Sequence, residues 1–422
     1  MDAIDAVIVG GGLAGLSCAY KLAEHDLQVM LLERGDFPGA KNVTGGRLYL
    51  LPIKDLAGDM FKDAPFERKV ISERWSLLGE KNSLTMNLLS DRFEEEHSYT
   101  ILRATLDRWL SERLMEKGVF VIPKYRVDDL LFDGNKVTGV RIGSEEIFAH
   151  VTVAADGVLS FMADKAGLRK KLSPKNYAVG IKEIIELPEE KLNDRFGLDT
   201  PHGATHLFLG DVTKGMFGGG FLYTNKKSIS LGLVVGIEAL MSRSMEAHTL
   251  LDIFKERPEI KPLIKDGTLA EYSAHVIPEA GYSNIPRLYT HGMLLTGDAA
   301  GFALNMGVTV RGMEFAVASG ILAAEAIIRA KAHNDYSEES LSFYETRLKE
   351  TFVLKDLASF NKMPSFLEND AFFSLYPKSF PDLLEKVMYF GKDPKETFFK
   401  TLKTSDLFSL KRLKDLYRIK DI

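Results

Sequence analysis

Several groups of residues in this chain are typed and spaced for chemistry on a phosphorylated ligand. The first is Gly10-Gly-Gly-Leu-Ala-Gly15, a G-x-G-x-x-G turn, followed by Glu33 at the end of a second apolar run. Gly10 permits a tight turn out of a strand, Gly12 lets backbone approach a pyrophosphate, and Gly15 lets a helix pack close to a sheet. Leu13 and Ala14 open that helix, whose free N–H groups and positive end favour an anion. Glu33, roughly 20 residues on, is placed to accept hydrogen bonds from ribose hydroxyls. The loop after it holds Arg34, Lys41, Asn42, Thr44, Gly45 and Gly46, too polar and glycine-rich for a core element and suited to backbone lying against a flat ring. A solvated surface turn is the plainer reading of that loop.

Further along, Arg103 opens a helix, where it could clamp a phosphate or cover an adenine face, or simply be a solvated charge. Ala155-Asp156-Gly157 follows an apolar strand and reads as a ligand edge or as a helix cap. Gly297-Asp298-Ala-Ala-Gly301 ends another apolar strand, the edge where open α/β sheets bind ligands. Gly307, Arg311, Gly312 and Met313 then lead into a long small-residue helix running to Lys331, whose positive end could face negative charge developing on a ring. Strand–turn–helix context around the first turn makes it a dinucleotide site. A second such motif far away in sequence favours an extended dinucleotide, FAD over NAD.

The elements that must position these residues are legible as runs. Ala6-Val-Ile-Val9 and Gln28-Val-Met-Leu-Leu32 read as parallel strands, with a helix from Leu16 to Glu24 between them. Leu48 to Arg68 reads as helical, and Val70 to Leu89 as alternating strand around Trp75 with a turn at 79–82. From Ala178 to Gly236 alternating runs predict antiparallel strands, an inserted sheet. The chain is expected to return to the first domain through Leu269 to Ala280, and to finish as helices rich in phenylalanine and lysine. The expected division is a discontinuous dinucleotide-binding domain (1–80, 99–175 and 268–335), an inserted substrate domain (81–98 and 176–267) and a helical C-terminal region (336–422). Gly218-Gly-Gly220 lacks the spacing of a second dinucleotide turn, which disfavours a separate NAD(P)H domain.

Composition narrows the class. The chain has 422 residues with 45% hydrophobic and 27% charged, an ordinary globular balance that implies two or three domains. A formal net charge of −5 argues against nucleic acid as the main partner. Cys18 is the single cysteine, so this chain alone cannot build a disulfide framework or a cysteine-ligated iron–sulfur cluster. The first strand begins at once, and no apolar stretch is long enough to span a bilayer. The expectation is a cytoplasmic protein, with peripheral contact on the inner face of the cell membrane as a further option. The C-terminal aromatics read first as packing residues, and second as a membrane or partner patch.

Together these stretches resemble the glutathione-reductase-like flavoproteins, in the group of aromatic hydroxylases, geranylgeranyl reductases and electron-transfer-flavoprotein:quinone oxidoreductases. Narrower stretches are similar to the FixC branch: Lys41-Asn-Val-Thr-Gly-Gly-Arg-Leu-Tyr49, Gly219-Gly-Phe-Leu-Tyr-Thr224, Leu231-Gly-Leu-Val-Val-Gly236, Ala274-His-Val-Ile-Pro-Glu-Ala-Gly281 and Arg311-Gly-Met313. The resemblance implies an α/β fold with an FAD-binding Rossmann-like domain, and an electron carrier between an electron-transfer flavoprotein and quinone in a bifurcating Fix-type complex. It implies that Gly10, Gly12, Gly15 and Arg103 hold the pyrophosphate, Glu33 the adenosine ribose and Asp298 the ribityl chain or its phosphate. Thr44 to Gly46, and Gly307 with Arg311 and Gly312, would border the isoalloxazine. No side chain need act as acid or base. The single cysteine departs from the single-chain quinone oxidoreductases, so a separate ferredoxin-like iron–sulfur subunit is implied. A flavin-dependent prenyl reductase is the alternative; a monooxygenase or a non-catalytic prenyl binder are weaker ones.

Overall fold

A computed structural model describes residues 3–42, 45–95, 97–307 and 309–403. Thr44, expected at the ring, and the end of the C-terminal region lie outside the described residues.

Two sheets organise the chain. In the first, strands Met293–Leu295, Glu145–Ala154, Ile4–Val9, Val29–Glu33 and Phe120–Pro123 run parallel in that spatial order. Ile4–Val9 and Val29–Glu33 are near-continuous apolar runs, buried on both faces of the sheet. Ile4–Val9 lies at the centre, so the glycine turn that follows it opens at the carboxyl edge of the sheet. An antiparallel pair, Asp129–Asp133 and Lys136–Ile142, extends the long strand Glu145–Ala154.

Helix Leu13–Ala23 packs against the long helix Met313–His333, and small residues bring them together. A Cβ on Gly320 would overlap the Ala14 carbonyl oxygen, and one on Gly15 would overlap the Gly10 carbonyl oxygen. Ser17, Cys18, Ala318 and Ala324 are fully buried nearby, so Cys18 is a small core residue whose thiol pKa is raised by burial.

The second sheet has nine strands, mostly antiparallel: Thr268–Pro278, Tyr177–Glu186, Ser228–Gly236, Gly218–Thr224, His202–Gly210, Lys69–Leu78, Ser98–Ile101 and Gly46–Tyr49, with Ser83–Leu89 pairing to Lys69–Leu78. It takes in segments that the sequence reading set with the dinucleotide part, at 46–49, 69–78, 99–101 and 268–278. Alternation reports that a run is a strand, but not which sheet its hydrogen bonds join. The stretch expected to be helical from Leu48 to Arg68 begins instead as the end of strand Gly46–Tyr49 and continues as short turns, among them Lys54–Ala57. One face of this sheet, including Ile181, Phe208, Leu222, Leu231 and Leu233, packs under helices Glu189–Phe196 and Ala247–Glu256.

The C-terminal region is helical as expected, from Glu338–Leu341 to Phe398–Lys403. Phe373 packs edge-on against Phe217, and Phe372 against Phe366 and Tyr376, whereas Tyr389, Phe390, Phe398 and Phe399 are exposed. No described helix is long and apolar enough to cross a membrane.

Because Gly320 sits where two helix backbones touch, Gly320→Ala is expected to lower unfolding stability by about 1–3 kcal/mol, measured by urea denaturation.

Candidate functional site

One cavity of about 830 Å³ runs along the carboxyl edge of the first sheet and out to the second. Its lining includes Gly10, Gly12, Leu13, Ala14, Glu33, Arg34, Lys41, Asn42, Arg103, Ala155, Asp156, Gly157, Asp298, Arg311, Gly312 and Met313, residues singled out from six separate stretches of sequence. Their assembly follows from topology: the strand ends at Val9, Glu33, Ala154 and Leu295 are neighbours in one parallel sheet, so their following loops meet.

The remaining glycines of that set lie outside the cavity lining. Gly15 permits the helix–turn contact already described, and a Cβ on Gly297 would lie 2.8 Å from the Ala14 Cβ. Gly45 packs on Ser230 and Ile184 of the second sheet, and a Cβ on Gly46 would sit 3.0 Å from the Met313 Cε. Gly301 and Gly307 have φ of +74° and +78°, a left-handed backbone that other residues adopt poorly.

At one end of the cavity the Glu33 carboxylate accepts from the Gly11 N–H (2.8 Å) and the Gly35 N–H (2.5 Å). Each oxygen is thereby fixed at the mouth, with lone pairs to spare for hydroxyl donors. Tyr125, Val127 and Asp128 complete this end, a contribution that sequence reasoning missed because they lie on an irregular connection with no motif.

In the middle lies a charged cluster. Arg103 makes a two-pronged pair with Asp107 (Nε to Oδ1 3.0 Å, Nη2 to Oδ2 2.7 Å), and Asn42 donates to the same carboxylate at 2.7 Å. The guanidinium is thus held over the glycine turn, 4.0 Å from where a Gly12 Cβ would be. Burial opposes its charge, but Asp107 and then Asp298 outweigh this and raise its pKa. Asp298 is itself raised by burial, with His275 and Arg103 pulling the other way. His275 is lowered by burial despite the nearby Asp298 charge. His275 sits in a quoted motif but carried no assigned role; its histidine–aspartate proximity is created by the strand Thr268–Pro278 reaching over from the other sheet.

Asp156 behaves as the capping alternative expected: its carboxylate accepts from Ser160 Oγ (2.8 Å) and the Met162 N–H (3.1 Å). At the far end Arg311 is tied to Glu314 (2.6 Å) and Asp356 (2.6 Å), which orients the segment ahead of Gly312.

The residues fit an extended dinucleotide. Both helix N-termini on the cavity, at Gly12 and Gly312, lack a side-chain cap, so their first N–H groups are available to an anion or a polar ring edge. The Gly12 turn is open, with nothing nearer a would-be Cβ than Arg103.

Fold and cavity together define an FAD-dependent oxidoreductase. Residues 5–74 match the family model of FAD-dependent oxidoreductases, and residues 177–277 match that of the ubiquinone-binding region of electron-transfer-flavoprotein:quinone oxidoreductases. The chain is 42% identical over 397 residues to the probable electron transfer flavoprotein-quinone oxidoreductase YdiS of Escherichia coli, covering 94% of this chain and 92% of that one. It is 42% identical to the protein FixC of Escherichia coli, and 39% identical to FixC of Rhizobium meliloti, in each case over 89% of this chain and 88% of the relative. This chain belongs to the FixC/electron-transfer-flavoprotein:quinone oxidoreductase family. Its fold is shared with a geranylgeranyl bacteriochlorophyll reductase-like protein from Thermoplasma acidophilum, at a TM-score of 0.74 and 22% identity over 99% of this chain and 100% of that one.

Two outcomes follow from this geometry. Gly12→Ala places its Cβ in the open turn, 4.0 Å from the Arg103 Nη2, so the protein should fold normally and purify with less FAD, read from its visible spectrum. Glu279, next to the cavity-lining Pro278, is pushed up to about 7 by burial, against a hydrogen bond from Asn305. Between the ordinary glutamate value and about 7, the folded protein holds a proton that the unfolded chain has lost, so stability falls as pH rises through that window. Glu279→Gln should flatten that fall, by about 3 kcal/mol at pH 8, in denaturation curves taken from pH 5 to 8.

Proposed function

We propose that this chain receives electrons from an electron-transfer flavoprotein and passes them toward quinone, as the FixC-type subunit of a bifurcating Fix-type complex. The observation that carries the reading is the continuity of one cavity from the glycine turn of the first sheet to the strand Thr268–Pro278, within the segment that matches the ubiquinone-binding family. FAD, when bound, supplies the redox chemistry, accepting a pair of electrons and releasing them singly or together.

The side chains position and tune. In this reading Gly10 and Gly12 let backbone approach the pyrophosphate, with Arg103 as the opposing charge held by Asp107 and Asn42. Glu33 accepts from the adenosine ribose, and Asp298 from the ribityl chain or its neighbouring phosphate. The uncapped N-terminus at Gly312 faces the ring, where its partial positive charge stabilises negative charge. Gly46 and Met313 stand beside it. Arg311, neutralised by Glu314 and Asp356, holds that N-terminus in place.

Only Cys18 is available as a cysteine, so any iron–sulfur cluster on the route belongs to a separate ferredoxin-like subunit. A peripheral membrane contact would bring the second sheet to a lipid-soluble acceptor, and the exposed Tyr389, Phe390, Phe398 and Phe399 beside Lys395 and Lys403 suit it.

The test is direct. Mixed anaerobically with reduced electron-transfer flavoprotein, the FAD-loaded protein should bleach at its flavin absorption and recover on adding a short-chain quinone. A flavin that stays oxidised would overturn the assignment.

A further inference from the structure

The face of the second sheet that looks toward the cavity carries a buried lysine, Lys182, that donates no hydrogen bond among the described residues. Lys182 lies in a row that crosses the sheet, in which Ser273, Lys182, Gly232, Phe221 and Leu207 are successive cross-strand partners. Cross-strand partners point to the same side, and the neighbouring positions Ile181, Leu231 and Leu222 belong to the packed core on the other side. Two residues along one direction is the row of His275 and Gly180, and His275 lines the cavity. Two residues along the other is the row of Ile184 and Ser230, the side chains that a Cβ on Gly45 would strike. Lys182 therefore stands between the cavity wall and the loop that carries Gly45 and Gly46.

Its side chain is buried, with 5% of the residue exposed. Among the described residues no carboxylate, carbonyl or hydroxyl accepts a hydrogen bond from its Nζ. Its one close partner is an aromatic face, the Phe221 ring, whose centroid is 5.3 Å from Nζ. Burial lowers the lysine pKa to about 7, the positive Arg103 adds to this, and Glu271 opposes it. A buried ammonium left without an acceptor is unfavourable, and such a group beside a cavity is a candidate for a ligand that brings the acceptor itself. An aromatic wall beside a lone N–H donor suits a flat, mostly apolar molecule with an exposed carbonyl oxygen. A phosphate or carboxylate ligand would be expected to meet more than one donor.

We propose that Lys182 is the donor that holds a carbonyl oxygen of the quinone acceptor, with the Phe221 ring as the adjoining apolar wall. This rests on the quinone-reducing role proposed above. Lys182 acts here by binding and orienting the acceptor.

The experiment uses the FAD-loaded full chain, reduced with dithionite and reoxidised by a soluble short-chain ubiquinone under anaerobic stopped flow. In Lys182→Met the quinone concentration for half-maximal reoxidation should rise about tenfold or more, as expected on losing a charge-assisted hydrogen bond. The visible FAD spectrum should stay that of the parent protein. Lys182→Arg should recover part of the loss, and Lys182→Gln, which keeps a donor without the charge, should fall between; the two also serve if the Met variant folds poorly. An unchanged half-saturating concentration in the variants, or a loss confined to the maximal rate, overturns the assignment while quinone reduction by the parent stands. If quinone fails to reoxidise the parent protein, the quinone-reducing reading falls, and this assignment with it.

Discussion

The structure depends on how closely three pieces of backbone approach one another: the strand end at Gly10, the helix that starts after Gly12, and the long helix Met313–His333. Gly15 lets the first helix rest on the Gly10 carbonyl, and Gly320 lets the second rest on the Ala14 carbonyl. Main chain separated by about 300 residues of sequence is thereby packed at van der Waals distance, with no room for a methyl group. Both helices then present uncapped N-termini to the same cavity. Their aligned partial charges are a fixed feature of the backbone, and no side chain has to supply them. The cofactor's binding groove is in this sense a by-product of helix packing.

Charge in the groove is handled by pairing. Arg103 is the principal cation over the turn, and its partner Asp107 is itself satisfied by Asn42, so the guanidinium keeps one edge free without being left uncompensated. Asp298 and His275 form a second, looser pair that spans the two sheets. Arg311 is clamped between Glu314 and Asp356. Lys182 stands apart from this pattern, since it is buried yet bonded to nothing among the described residues. A buried lysine without a partner beside these clusters is where a small molecule would complete the set.

The second sheet divides its labour by face. One face is a closed apolar core under two helices. The other, carrying Lys182, Phe221, Tyr223 and Ser230, covers the region between the glycine turn and the loop at Gly45, and these residues are polar or aromatic where a purely structural sheet would be aliphatic. The edge strand Thr268–Pro278 belongs to this sheet by hydrogen bonding and to the cofactor cavity by position. It joins the electron-carrying groove to the surface on which an acceptor would rest.

From sequence alone, the strand–turn–helix at Gly10 to Gly15, the acid at Glu33, the strand end at Asp298 and the helical C-terminal region were legible, because each is a local pattern with a local physical cause: backbone freedom, periodicity or an orphan N–H. Sixteen of the singled-out residues line one cavity for that reason. What local pattern could not reveal were the partners. Arg103 shows itself as a helix-start charge, but its hold on the turn needs Asn42, which lies 65 residues from Asp107. His275 reads as one polar residue in an alternating strand, and acquires meaning only when that strand crosses to Asp298. Lys182 looks like any solvated lysine until the strands beside it bury it. Strand pairing is a long-range choice among many apolar runs of similar texture, and burial follows from that choice, so only the tertiary structure decided which charges would be buried without a protein partner.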